Sequence, residues 1–180
     1  MNNRNIWFVR HAQSVYNQQK LFTGWHDPKL TLKGIEAAND LAKSFTTTTF
    51  DKIYCSPLKR ASETAKIIAQ DKKIIFDERL KERSYGDWSG KSKDEIRNEV
   101  GEEEFFNARR GWERRPPNGE SLKDVSLRLE SFIAELPLSG NILIVSHGNT
   151  IRAASVLFGV NTELNVSSYE IKVGTHLQVS

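Results

Sequence analysis

The chain has 180 residues, 38% of them hydrophobic and 27% charged, and a net charge of +3. That size and composition exclude a disordered or fibrous protein and allow one core of ordinary dimensions. The small net charge argues against nucleic-acid coating, and no apolar run approaches the roughly 18 residues of a membrane span. The polar start Met1-Asn2-Asn3-Arg4-Asn5 carries no apolar leader, and Cys55 is the single cysteine. With no Cys/His group at zinc-ligand spacing, the chain reads as cytoplasmic and metal-free. Positive charge is concentrated locally, in Arg109, Arg110, Arg114 and Arg115, which points to a small anionic ligand.

Taken in order, positions 6–9 form a continuously apolar run, the pattern of a strand covered on both faces, and lead into Arg10-His11-Ala12-Gln13-Ser14. Positions 12–30 are polar but contain Phe22, Gly24, Trp25 and Pro28, and read as an ordered loop rather than a linker. Thr31 is the expected N-cap of a helix over 32–45, with Leu32, Ile35, Ala38, Leu41, Ala42 and Phe45 at helical spacing. A second strand is predicted over 50–54, with Cys55 buried at its end. Ser56-Pro57 then supplies an N-cap and a first-turn proline for a helix reaching position 70, with Arg60 in its first turn. A third strand follows at 74–76 and an irregular stretch at 80–90. Short polar helices at 92–99 and 102–109 fall outside the regular alternation, as an inserted cap over about 80–120 would. After the turn cluster Pro116-Pro117-Asn118-Gly119, Ser121 opens a helix with Leu122, Val125, Leu129, Phe132 and Leu136 on one face. A fourth strand at 141–145 runs into Ser146-His147-Gly148-Asn149, followed by a helix at 149–157 and one or two terminal strands within 169–179. This alternation predicts a single-domain, three-layer α/β sandwich with a mainly parallel sheet and helices on both faces.

Ligands of such folds bind beyond the carboxyl ends of the strands, and both His11 and His147 fall there. With Arg10 and Arg60 they would surround one small volume with positive charge. A phosphoryl group suits it, because the guanidinium fork matches phosphate oxygens and a dianion favours a protonated histidine beside it. Alternatively, one histidine stays neutral and attacks phosphorus to form a phosphohistidine. Glu82, in the irregular stretch, is the best carboxylate for the proton of the leaving oxygen. Taken singly, Arg60 and Glu82 also fit solvated surface residues, and Arg109 to Arg115 a basic helix end. His26 and His176 have no partner pattern and read as structural.

Arg10-His11-Ala12-Gln13-Ser14, Ser56-Pro57-Leu58-Lys59-Arg60 and Ser146-His147-Gly148 resemble the histidine phosphatase superfamily, in the expected order and over nearly the whole chain. The resemblance implies that His11 is phosphorylated, that Arg10, Arg60 and His147 hold the phosphate, and that Glu82 is the general acid. Further stretches are similar to the cofactor-dependent phosphoglycerate mutases. These are Leu21-Phe22-Thr23-Gly24-Trp25 with Asn17 upstream, Leu80-Lys81-Glu82-Arg83-Ser84-Tyr85-Gly86-Asp87, and Lys93 with Arg109-Arg110 sixteen positions later. Pro116-Pro117-Asn118-Gly119-Glu120-Ser121-Leu122-Lys123-Asp124 and Gly148-Asn149-Thr150-Ile151-Arg152 also fit.

That likeness implies interconversion of 3-phosphoglycerate and 2-phosphoglycerate, primed by 2,3-bisphosphoglycerate and without a metal, in glycolysis and gluconeogenesis. Asn17, Thr23, Gly24, Tyr85, Lys93, Arg109, Arg110 and Asn149 would then surround the substrate. The partner is a small-molecule phosphoglycerate, with neither nucleic acid nor membrane, and a homo-oligomer is compatible with the chain. A mutase holds a carboxylate and retains a bisphosphorylated intermediate, so it needs more cations than a hydrolase; each charged contact contributes about 1.5–3 kcal/mol. Three features depart from the mutases. Ala12 and Gln13 replace the usual glycine and glutamate, Trp88-Ser89-Gly90 is closer to the phosphatase branch, and the chain stops soon after Gly174-Thr175-His176. Less exclusion of water favours hydrolysis of phosphohistidine, so a phosphomonoesterase is the alternative. A non-catalytic phosphate-binding module is the rival from another class.

Overall fold

The computed structural model describes residues 3–180; Met1 and Asn2 of the polar start lie outside the described residues. Five strands, β1 (Asn3–Arg10), β2 (Lys52–Cys55), β3 (Ile74–Phe76), β4 (Ser139–Ser146) and β5 (His176–Val179), form one sheet in the order β3-β2-β4-β1-β5. The three pairings inside β3-β2-β4-β1 are parallel, and β5 runs antiparallel to β1. Among the described residues, seven α-helices accompany them: α1 (Val15–Gln18), α2 (Leu32–Ser44), α3 (Lys59–Ala69), α4 (Lys93–Val100), α5 (Glu102–Arg110), α6 (Leu122–Ala134) and α7 (Gly148–Leu157).

Side chains alternate across β1 and β4, and each face has its own core. Ile6, Phe8, Ile142 and Ile144 pack with Leu122, Val125, Leu129 and Phe132 of α6 and Ile151 of α7. Trp7, Val9, Leu143 and Val145 face the other way, onto Leu41 of α2 and Ala61, Ala65 and Ala69 of α3. Both faces being covered is the reason these strands read as unbroken apolar runs rather than alternating ones. Each fully buried Leu, Ile or Phe contributes about 1.5–3 kcal/mol, so the central pair β1–β4 is a rigid base for whatever emerges from its end. A third cluster, Phe22, Tyr85, Trp88, Ile96, Phe105 and Ala108, lies off the sheet and ties the loop after α1 to α4 and α5.

The parallel register sets the geometry of the sheet edge. Arg10 pairs with Ser146, and Cys55 with Val145. The next residues leave side by side: His11 N–H donates to the Ser146 carbonyl (3.0 Å) and Ser56 N–H to the Val145 carbonyl (3.0 Å). His11, Ser56 and His147 therefore emerge together.

Local details differ from the sequence reading. Ser56 is not an N-cap: α3 begins at Lys59 with Leu58 in the cap position and no side-chain cap bond. The Ser56 hydroxyl is committed to His147 Nε2, 2.7 Å away. Leu32 and Ile35 lie off the buried Gly34, Ala38 and Leu41 stripe of α2 and are exposed. The 12–30 loop contains α1, and the irregular 80–90 stretch follows one short 3-10 turn, Glu78–Leu80, and contains another, Gly86–Trp88. One terminal strand is present, β5. Thr31 and Ser121 are N-caps as expected, and Cys55 is a buried strand end.

Candidate active site

His11 is 2% exposed, at the end of β1. Its Nδ1 lies 2.7 Å from the Ala12 carbonyl, and Arg60 Nε donates to its Nε2 over 3.2 Å. One tautomer satisfies both bonds, with the proton on Nδ1 and the lone pair on Nε2. Burial, followed by the Arg60 and Arg10 charges, lowers its pKa well below the ordinary histidine value, so the ring is neutral at pH 7. A neutral imidazole with a lone pair on Nε2 is a nucleophile that needs no base. Ala12, in place of glycine, adopts no left-handed backbone; its N–H donates to Thr64 Oγ1 (3.1 Å). The Gln13 amide oxygen accepts from the Thr31 hydroxyl (3.0 Å).

Arg60, in the first turn of α3, is 1% exposed. It donates from Nη1 to the His26 carbonyl and from Nη2 to the Gly24 carbonyl, both at 2.9 Å. Each terminal nitrogen keeps one N–H for an incoming oxygen. Gly24 has φ +50, and a Cβ there would lie 2.9 Å from Ser89 Oγ, so glycine is what allows its carbonyl to turn toward Arg60. His26 thus contributes through its backbone. Arg10 donates from Nη1 to the Ile171 carbonyl. It also crosses Gly148 closely enough that a Cβ at 148 would sit 3.2 Å from Arg10 Cζ. His147 is fully buried, and burial followed by the Arg60 charge pushes its pKa well below the ordinary value. Among the described residues, Arg10 Nε and His147 Nδ1 are buried without a partner. Such groups are costly unless a ligand satisfies them, and phosphoryl oxygens are acceptors that would do so.

Glu82 is placed by its backbone. The carbonyls of Leu80, Lys81 and Glu82 accept from Ser146 Oγ, Thr150 Oγ1 and Trp25 Nε1 at 3.0, 2.9 and 2.8 Å. Its Oε1 accepts the Arg83 and Asn149 N–H groups at 2.9 and 3.2 Å, leaving Oε2 outside both bonds.

A cleft of about 610 Å³ including its open mouth stands in front of these groups. Arg10, Glu82, Asn17, Thr23, Gly24, Tyr85, Lys93, Arg109, Arg110 and Asn149 all line it. His11, Arg60 and His147 are buried and are not among the lining residues. Asn17 is braced by a reciprocal cap with Ser14, and Asn149 Nδ2 donates to the Tyr85 hydroxyl (3.1 Å). Lys93, at the start of α4, has a pKa pushed down to about 8 by burial and by Arg109, Arg10 and Arg110. Arg60 and Arg152 are likewise pushed down, to about 10, chiefly by burial. Crowded, partly desolvated cations of this kind are relieved by a bound anion.

Sequence reasoning missed three residues. Arg152 lines the cleft and donates to Asn149 Oδ1 (2.9 Å) and to the Arg110 carbonyl (2.8 Å); its position in the matched Gly148-to-Arg152 stretch was the available signal. Glu170 also lines the cleft. Arg83, with no exposed surface, donates to the carbonyls of Ala108, Arg109, Arg114 and Glu120 and so fixes the end of α5 that presents Arg109 and Arg110. No local pattern signals a fully buried arginine. Among the described residues, no three His, Cys, Asp or Glu side chains converge as a metal site would require, and no helix is long and apolar enough to cross a membrane.

A family model described as the histidine phosphatase superfamily (branch 1) matches residues 6–167. The 2,3-bisphosphoglycerate-dependent phosphoglycerate mutase of Bartonella tribocorum is 40% identical over 184 residues, covering 95% of this chain and 89% of its own. A mycobacterial glucosyl-3-phosphoglycerate phosphatase has the same fold with a TM-score of 0.88 at 25% identity, covering 97% of this chain and 89% of that one. The alpha-ribazole phosphatase from Shigella flexneri has a TM-score of 0.84 at 28% identity, covering 98% and 90%.

Proposed function

Because the chain belongs to branch 1 of the histidine phosphatase superfamily, we propose that it is a phosphoglycerate mutase primed by 2,3-bisphosphoglycerate, a cytoplasmic enzyme of glycolysis and gluconeogenesis. The observation that carries this reading is the number of cations at one cleft. Arg10, Lys93, Arg109, Arg110 and Arg152 line it, and Arg60 is buried against His11. One phosphoryl group engages Arg10, Arg60 and His147; Lys93, Arg109 and Arg110 remain for a carboxylate and for the second phosphoryl group of a bisphosphate. The residues are distributed over a single catalytic domain in which the 80–120 segment caps the cleft.

The positions of the groups support the following steps. Phosphorylated His11 gives its phosphoryl group to the 2-hydroxyl of 3-phosphoglycerate; the P–N bond breaks, the P–O bond forms, and Glu82 takes the hydroxyl proton on Oε2. The bisphosphate reorients within the cationic cleft. His11 Nε2 then attacks the 3-phosphoryl group as Arg60 Nε–H turns from the ring to a phosphoryl oxygen. Glu82 returns the proton to the departing oxygen, giving 2-phosphoglycerate and phosphorylated His11 again. Arg10, Arg60 and the His147 ring stabilise charge on the transferring group throughout.

The phosphatase relatives at 25% and 28% identity favour one second reading, a phosphomonoesterase in which water takes the place of the acceptor hydroxyl. A coupled assay for 2-phosphoglycerate, with and without added bisphosphate, tests the choice. Isomerisation that depends on bisphosphate is expected, with a loss of about 10- to 150-fold in Arg109→Ala, the equivalent of one charged contact. Phosphate release from many esters without isomerisation would make the enzyme a phosphatase. Intact isomerisation in Arg109→Ala would remove the carboxylate role from the paired arginines. Absence of acid-labile label on His11 after exposure to labelled bisphosphate would make the chain a phosphate-binding module.

A further inference from the structure

The cleft contains a second carboxylate that the phosphoryl chemistry does not use. Glu170 lines it beside Ile171, and its Oε1 stands 3.7 Å from Arg110 Nη2. The two side chains differ in freedom: that of Glu170 is 65% exposed, that of Arg110 only 17%. Arg110 Nη1 donates to the neighbouring Tyr169 carbonyl (3.4 Å), so residues 169 and 170 engage both ends of one guanidinium. The backbone beneath is fixed on its other side. Arg10 donates to the Ile171 carbonyl, and Gly174 N–H donates to the Arg10 carbonyl. A loose carboxylate on a tethered backbone thus meets an arginine set into the cleft wall. Lys93 and Arg109 form no ion pair among the described residues, so Arg110 differs from its neighbours in being already partnered.

We infer that Glu170 is a specificity-determining residue: its carboxylate occupies Arg110 in the free cleft and competes there with the carboxylate of an anionic substrate. The inference rests on the reading that the paired arginines receive that substrate carboxylate. Each phosphoglycerate that binds displaces Glu170, and each that leaves is replaced by it. A phosphate ester without a carboxylate has no use for Arg110 and meets no such competition. Glu170 therefore narrows the margin by which the cleft prefers phosphoglycerate over plain monoesters, and lets a carboxylated product depart sooner.

The test compares wild type with Glu170→Gln. Glu130→Gln, an exposed carboxylate on α6, makes the same change in net charge away from the cleft. Calorimetric titration with 3-phosphoglycerate and with phenyl phosphate gives the two affinities, and the mutase assay gives KM and kcat. Exposed ion pairs set the expected size: Glu170→Gln tightens 3-phosphoglycerate about two- to fivefold and lowers its KM alike, with no rise in kcat. Phenyl phosphate moves less than about twofold, the size expected of a charge change without local competition. In an Arg110→Ala background the gain disappears, since the competition has lost its object. The inference is overturned if 3-phosphoglycerate affinity is unchanged in Glu170→Gln, if both ligands tighten equally, or if Glu130→Gln does the same. A wild type that fails to isomerise while Glu170→Gln binds 3-phosphoglycerate more tightly overturns the mutase reading alone. Normal isomerisation with unaltered affinity overturns this inference alone.

Discussion

Removing the hydroxyl of Ser56 tests whether the His147 ring is held in one tautomer. Ser56 Oγ lies 2.7 Å from His147 Nε2 and accepts the Leu58 N–H at 3.4 Å. Among the described residues the hydroxyl proton has no acceptor other than Nε2, so Ser56 donates to that nitrogen and the ring proton resides on Nδ1, the buried nitrogen without a protein partner. Nδ1–H is then the donor offered to a phosphoryl oxygen. In Ser56→Ala both ring nitrogens are buried and unpartnered, which costs about 1–3 kcal/mol of stability, read as a shift of the urea midpoint at constant slope. Activity falls separately, because the proton is free to move to Nε2. Losing one charge-assisted donor costs about 1.5–3 kcal/mol, or roughly 10- to 150-fold in kcat/KM. Nitrogen NMR on ring-labelled protein reports the tautomer directly. A wild-type ring protonated at Nε2, or a Ser56→Ala enzyme within about twofold of wild-type kcat/KM, is below the smallest loss expected from one charged hydrogen bond and would refute the reasoning.

Arg83→Leu leaves four backbone carbonyls without their donor and is expected to lower stability by about 3–5 kcal/mol in urea unfolding, as for other broken buried polar networks. Gly148→Ala places a Cβ 3.2 Å from Arg10 Cζ; kcat/KM should fall by about tenfold or more through displacement of the guanidinium, while the midpoint of unfolding moves little. Lys93 binds an anion only when protonated, so its contribution is present below its pKa of about 8 and lost as the pH rises through it. KM for 3-phosphoglycerate should therefore rise above pH 8 in wild type, and Lys93→Arg should flatten that limb because the guanidinium stays charged.

What the sequence made legible was whatever depends on neighbours along the chain. The apolar runs into Arg10-His11 and Ser146-His147 announced two buried strands, and parallel pairing was enough to bring their ends together. The caps at Thr31 and Ser121 were readable for the same local reason. Ser56 shows where such reading ends: beside a proline it looks like a cap, yet a histidine 91 positions away takes its hydroxyl. Arg83 and Trp25 were invisible as organisers because each serves a distant carbonyl, and a carbonyl is present at every residue of the sequence. Glu170 reads as one more surface acid until the fold sets it beside Arg110.

The clamp on Arg10 also bears on the order in which the enzyme comes into being. Arg10 N–H donates to the Thr175 carbonyl, Gly174 N–H returns to the Arg10 carbonyl, and the guanidinium reaches Ile171, 161 positions downstream. Its strand pairs with β4 and β5, both from the last quarter of the chain. On the ribosome, β1 has no hydrogen-bonding partner in the sheet until β4 at 139–146 has emerged. Closing loops of this length is slow and leaves apolar β1 exposed meanwhile. Until β4 and the 171–175 segment are made, His11 lacks its Ser146 contact and Arg10 lacks its clamp.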